Sequence, residues 1–209
     1  MSGHAILGLV LFLVWGLLAG VGRMAVQRRR TGDSGFRFAA AARGDRQWWA
    51  NRINGAGSVA VGIAAPAADL LGLGHVVPAL SSPVLRTAAA VVAAAGIGAT
   101  YAAQMAMGNA WRIGVDPAER TDLVTSGPFA LVRNPIFTAA LITFTGLAFT
   151  TPNLVALAGL AAVFAGIQMQ VRLVEEPHLL TTHGRDYADY AARVGRFLPT
   201  IGRLHPPHS

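Results

Sequence analysis

AILGLVLFLVWGLLAGVG, Ala5 to Gly22, is an uninterrupted apolar run of 18 residues. As a helix it is about 27 Å long, enough to cross a hydrocarbon core of about 30 Å. A cleaved signal peptide would carry its positive charge before a shorter run. Here the charge follows the run, at Arg23 and Arg28-Arg29-Arg30. The run therefore reads as a retained membrane helix. Gly16 and Gly20 within it are spaced as a possible close-contact face.

The rest of the chain agrees. Of 209 residues, 53% are hydrophobic and 13% charged, and the mean hydropathy is +0.47. Such values fit an integral membrane protein. There are no cysteines, which excludes disulfides and thiolate metal sites, and no other metal constellation is expected. All 17 basic residues are arginine and the net charge is +7. No nucleic-acid recognition module accompanies that charge, so nucleic acid is not an expected partner; the lipid bilayer is.

Four further apolar segments follow. They are Ile53 to about Leu73, with Pro66 as an expected kink, then Val84 to Met107, Pro135 to Phe149 and Leu154 to Val171. The last two are joined tightly through residues 150–153 and read as a helical hairpin. The expected fold class is all-α, a polytopic membrane protein of about five spans with an external N-terminus. This orientation puts 16 of the 17 arginines on the cytoplasmic side and only Arg86 outside, as the positive-inside rule requires. The expected organisation is a three-span region 1–107 with a basic amphipathic loop at 28–52, a site region 108–199, and a flexible tail 200–209. Asp69, near the far end of the second span, and Gly96-Ile97-Gly98 in the third are open questions; helix contact is the expected reason for the glycines.

Two polar clusters fall on the same expected cytoplasmic face. One ends in Arg133-Asn134-Pro135. Asn is a good N-cap and Pro suits the first helical position, so the fourth helix should start there with free N–H groups, a ready anion site. The other is Arg172-Leu-Val-Glu175-Glu176-Pro177. The residue before a proline is biased out of the α region, so the fifth helix should end or kink at Glu176. Arg172 could contact Glu175 one turn on. The two clusters are expected to meet. Together they complement a zwitterion that also carries ribose hydroxyls, and S-adenosylmethionine is such a molecule.

The runs Met107-Gly-Asn-Ala-Trp-Arg-Ile-Gly114 and Thr121-Asp-Leu-Val-Thr-Ser-Gly-Pro-Phe-Ala-Leu-Val-Arg-Asn-Pro-Ile-Phe137, and the run Glu175-Glu-Pro-His-Leu-Leu-Thr-Thr-His-Gly-Arg-Asp-Tyr-Ala-Asp-Tyr190 followed by Val194 and Phe197-Leu-Pro199, resemble the isoprenylcysteine carboxyl methyltransferase family. More broadly they are similar to phospholipid N-methyltransferases. The resemblance covers roughly the C-terminal half. It implies an S-adenosylmethionine-dependent methyltransferase of the plasma membrane whose cofactor pocket faces the cytoplasm. By position, Thr121, Leu123 and Val124 would line the adenosine, Phe129 would lie at the cofactor, and Arg133, Asn134, Pro135, Ile136 and Phe137 would embrace it. Glu175 would be the acidic contact with Glu176 beside it, and Arg172 would take the substrate-facing catalytic position. Asn134 stands where the family more often has histidine.

Methyl transfer needs alignment and water exclusion more than acid–base help when the acceptor is already anionic. No base is evident on the hairpin, so a small or lipophilic carboxylate or thiol acceptor is favoured. A phospholipid or amine acceptor, or a non-catalytic scaffold, is the alternative. The first half shows no match, so the prenylcysteine substrate is not carried over.

Overall fold

A computed structural model describes residues 2–37, 41–74 and 77–204. Among these there are six continuous helices and no strand. α1 runs through Ser2–Trp15, Gly16–Gly22 and Arg23–Thr31; α2 through Arg46–Val59, Ala60–Ala64 and Ala65–Leu70. α3 is Pro83–Ala106 and α4 is Pro135–Thr150. α5 runs through Leu154–Gln170, Val171–Glu175 and Glu176–His183, and α6 is Arg185–Arg193.

Three of these helices are long and apolar enough to cross a membrane: α1 over Gly3–Thr31, α3, and α5. α4 is apolar but only 16 residues long. α2 starts at Arg46, seven residues earlier than expected, and its first turns carry Arg46, Gln47, Asn51, Arg52 and Asn54. The five expected spans thus divide into three full-length apolar helices, one short apolar helix and one helix with a polar first half. Leu13 and Leu17 of α1 are 65% and 60% exposed, which suits contact with lipid.

The middle segments of α1, α2 and α5 are π-helical. In α2 and α5 a proline follows at once, Pro66 and Pro177. A proline lacks an N–H and its ring collides with the carbonyl four residues back. A preceding wide turn absorbs both problems. Pro66 therefore does not end α2. Likewise α5 passes through Glu176 in helical conformation (φ −60°, ψ −45°) and continues to His183. The expected break at Glu176 is not formed.

The core lies mid-bundle, where Val61, Ala93, Phe144, Leu147, Val163 and Ile167 are buried together. The Trp15 ring meets Phe144 edge-on at 4.9 Å. Glycine sets the close approaches. A Cβ on Gly96 would lie 2.7 Å from Thr143 N, and one on Gly146 would lie 2.4 Å from Ala93 N, so α3 and α4 touch backbone to backbone. The contact role expected of Gly96 is met. That of Gly98, and of Gly16 and Gly20, is not: a Cβ there would meet nothing within 4 Å.

The far end is held by a buried ion pair, Arg86 Nη2 to Asp69 Oδ2 at 3.1 Å, with Arg86 Nε donating to Thr150 O. Asn153 caps α5 by accepting from Ala156 N and donates to Ala65 O. Asp69 is thereby a structural residue.

Candidate active site

The opposite end of the bundle encloses a cavity of about 590 Å³. The chain reaches it from all six helices and two loops. After α3, residues 107–134 cross its mouth. Phe129, buried in the turn Gly127–Ala130, is held there because the Tyr190 hydroxyl donates to its carbonyl at 2.6 Å. α4 then starts at Pro135. Its first intrahelical bond is Thr138 N to Asn134 O, so the N–H groups of Ile136 and Phe137 precede the ladder. Both residues line the cavity. The Asn134 side chain does not cap the helix as expected. Its Nδ2 donates to Arg196 O at 3.1 Å instead, tying the start of α4 to the chain after α6.

The two clusters meet through a buried ion triad. Arg133 Nη2 donates to Glu176 Oε1 at 2.6 Å, and Arg196 grips both Glu176 oxygens at 2.7 and 2.9 Å. Arg133 also donates to the carbonyls of Ala191, Val194 and Gly202. Its side chain is 1% exposed, and only Nε lacks an acceptor. Residues 200–204 are part of this knot, with Leu204 N donating to Ala191 O; residues 205–209 of the expected flexible tail lie outside the described residues.

Glu175 takes the other side of α5 and lines the cavity. Gln170 Nε2 donates to its Oε1 at 3.2 Å, and no cation pairs with it among the described residues. Gln170 Oε1 is itself buried without a donor. Tyr187 lines the cavity from α6. Burial first, then the nearby Glu176 carboxylate, holds its phenol well above the ordinary range, while burial pushes Tyr190 up to about 12. Both stay protonated at neutral pH and can donate hydrogen bonds but not take protons.

Ten of the expected cofactor-binding residues line this one cavity: Thr121, Leu123, Val124, Phe129, Arg133, Asn134, Pro135, Ile136, Phe137 and Glu175. Glu176 stands behind the wall. Arg172 stands apart: it is exposed, does not line the cavity, and makes no bond to Glu175.

Other residues at the cavity were given no site role from the sequence, although Trp111, Arg112 and Ile113 lie in a run that carries the resemblance. Trp111 is 1% exposed, with the Arg23 guanidinium 4.5 Å above its ring. Gly35 sits on that ring at φ +73°, where a Cβ would approach to 3.1 Å. Arg37 N and Ile113 N exchange bonds with Ile113 O and Gly35 O. Arg37 further pairs with Asp33 and Glu119, and Arg112 with Glu119. The Arg37 hydrogen bond lowers Asp33 to about 2 and also lowers Glu119. This clamp closes the cavity on the side of the first loop. Only the pairing pattern in space, absent from any local motif, reveals it.

The donor set fits a cationic, zwitterionic cofactor. Among the lining carboxylates, Asp116, Asp122 and Glu175 have no cation partner among the described residues, whereas the lining Arg112 and Arg133 are both paired. The cavity wall is therefore net negative, which favours a sulfonium. The unbonded Arg133 Nε and the start of α4 offer donors for a carboxylate, and Gln170 Oε1 and Glu175 offer acceptors for an ammonium.

A helical protein with three helices able to cross a membrane and a large amphiphilic cavity at one end is the class that this geometry defines. Residues 84–186 match the model of the phospholipid methyltransferase family, the broader of the two families that the motifs resemble. The match spans α3 to the start of α6. The nickel-cobalt-cadmium resistance protein NccN of Alcaligenes xylosoxydans xylosoxydans is 30% identical over 114 residues, 54% of this chain and 52% of that protein. The cobalt-zinc-cadmium resistance protein CzcN of Cupriavidus metallidurans is 31% identical over 96 residues, 46% of this chain and 44% of that protein. The chain thus spans about half the length of the curated relatives it matches. No solved structure matches it.

Proposed function

We propose that the chain is an S-adenosylmethionine-dependent methyltransferase of the plasma membrane, with its cofactor site facing the cytoplasm and a lipophilic acceptor. The observation that carries this reading is the convergence of Glu175, the start of α4 and Phe129 on one net-negative cavity. When bound, the cofactor would supply an electrophilic sulfonium methyl. The N–H groups of Ile136 and Phe137 and the Arg133 Nε would hold its carboxylate. Glu175, with Gln170, would hold its ammonium. Phe129, Leu123 and Val124 would cover the adenosine and exclude water. Tyr187, kept protonated by burial, would donate to an oxygen at the site. Alignment of acceptor, methyl carbon and sulfur by these groups is the main catalytic contribution.

The phospholipid methyltransferase match brings lipid acceptors forward beside the small carboxylates and thiols favoured from the motifs. The test is incubation of detergent-purified protein with methyl-labelled S-adenosylmethionine and the lipid fraction of its native membranes. Label transferred to an extractable lipid supports the proposal. Absence of transfer to any extractable or aqueous acceptor contradicts it.

A further inference from the structure

The cavity wall carries a second set of unanswered polar atoms, on residues outside the cofactor motifs. They come from three helices that the resemblance does not explain. Gln104 of α3 is 6% exposed and lines the cavity. Its Nε2 donates to Ala19 O at 2.9 Å, which fixes the amide's orientation, and its Oε1 is buried with no donor. Asn54 Oδ1 of α2 is likewise buried with no donor, and Trp15 Nε1 of α1 is buried with no acceptor. Both residues line the same cavity. The Ala19 carbonyl belongs to the π-helical turn Gly16–Gly22, whose widened ladder lets it receive a side chain.

Leaving such groups unpaired at this depth is costly, about 1–3 kcal/mol each. They are best explained by a ligand that pairs with them. Two features restrict its chemistry. First, the set contains both a donor and acceptors. A carboxylate only accepts and an ammonium only donates, whereas a hydroxyl does both. Second, the lining residues drawn from α1, α2 and α3 include no charged side chain. Around the polar set lie Ala140, Phe144 and Ile167, a surface for hydrocarbon.

We infer that Gln104, Asn54 and Trp15 form the acceptor subsite, and that it anchors an apolar molecule through an uncharged hydroxyl that is not itself the methylated group. This rests on the methyltransferase reading for its purpose but not for its chemistry.

The test uses radiolabelled dodecanol, with dodecanoate and dodecylammonium as competitors, on the detergent-purified full chain, reading saturable binding. S-adenosylhomocysteine affinity is measured on the same samples. The wild type is expected to bind dodecanol saturably and each charged chain at least about tenfold more weakly. Gln104→Met is expected to weaken dodecanol about tenfold, the loss of one hydrogen bond, with S-adenosylhomocysteine affinity unchanged. If Gln104→Met fails to fold, Asn54→Ala carries the same expectation. A charged chain that binds as tightly as the alcohol, no saturable alcohol binding, or an affinity indifferent to the substitution would overturn the subsite. Alcohol binding without S-adenosylhomocysteine binding would instead sink the methyltransferase reading and leave the subsite standing.

Discussion

Glu175 and Glu176 are adjacent in sequence and opposite in role. Glu176 faces two arginines in a site that is 8% exposed at the carboxylate side chain. Replacing it with Gln leaves Arg133 and Arg196 short of a counterion, and breaking a buried pair in this way costs about 3–5 kcal/mol. Glu176→Gln is expected to lower the thermal midpoint strongly, as read by the unfolding of detergent-purified protein. Glu175→Gln removes a carboxylate that faces a cavity and has only Gln170 as partner. It is expected to leave the midpoint nearly unchanged while weakening cofactor binding. A sequence reader can see both glutamates but not this division. The π-helical turn ending at Glu175 rotates the two side chains to different sides of α5, and nothing in the dipeptide announces it.

At the scale of elements, the clamp between the first loop and residues 111–119 has a pH signature. Asp33 is lowered to about 2 by its bond to Arg37. A lowered carboxylate stabilises the folded state above its unfolded pKa of about 3.9, and that contribution is lost as pH falls through the folded value. Hydrogen exchange at Gly35 and Ile113 is therefore expected to stay slow at pH 5 and to quicken between about pH 4 and 2. Exchange that does not change across that window would contradict the clamp. The α3–α4 contact makes a second prediction. Gly146→Val would drive side-chain atoms into the Ala93 backbone, 2.4 Å from the Cβ position. Overpacking of this kind costs about 1–3 kcal/mol or more, visible as a lowered midpoint. The apolar lengths of α1, α3, α4 and α5 were legible because hydrophobic runs need no partner to be recognised. The polar start of α2 was not, because Asn51, Asn54 and Ser58 make sense only beside the cavity they line.

At the scale of the molecule, most of the cofactor wall was legible because local motifs carry it: a helix start, a turn with Phe129, a glutamate. The wall from α1 to α3 was not, since Trp15 and Gln104 read in sequence as ordinary membrane-helix residues; Trp111 lay in a run that carries the resemblance, with no role attached to it. Arg172 shows the limit of transfer by motif: it is exposed, and the cavity positions nearest it in sequence are Gln170 and Glu175. The proposed orientation is testable cleanly because the chain has no cysteine. Ser126→Cys is expected to resist a membrane-impermeant maleimide in intact cells and Ser81→Cys to react; the reverse pattern would invert the topology. The central claim, that Glu175 and the start of α4 form a cofactor site, is tested most directly by calorimetric titration of S-adenosylhomocysteine into wild-type and Glu175→Gln protein. The account predicts saturable binding to the wild type, weakened at least about tenfold by the loss of a charge-assisted contact. No binding to the wild type at millimolar ligand, or equal affinity in the two proteins, would contradict it.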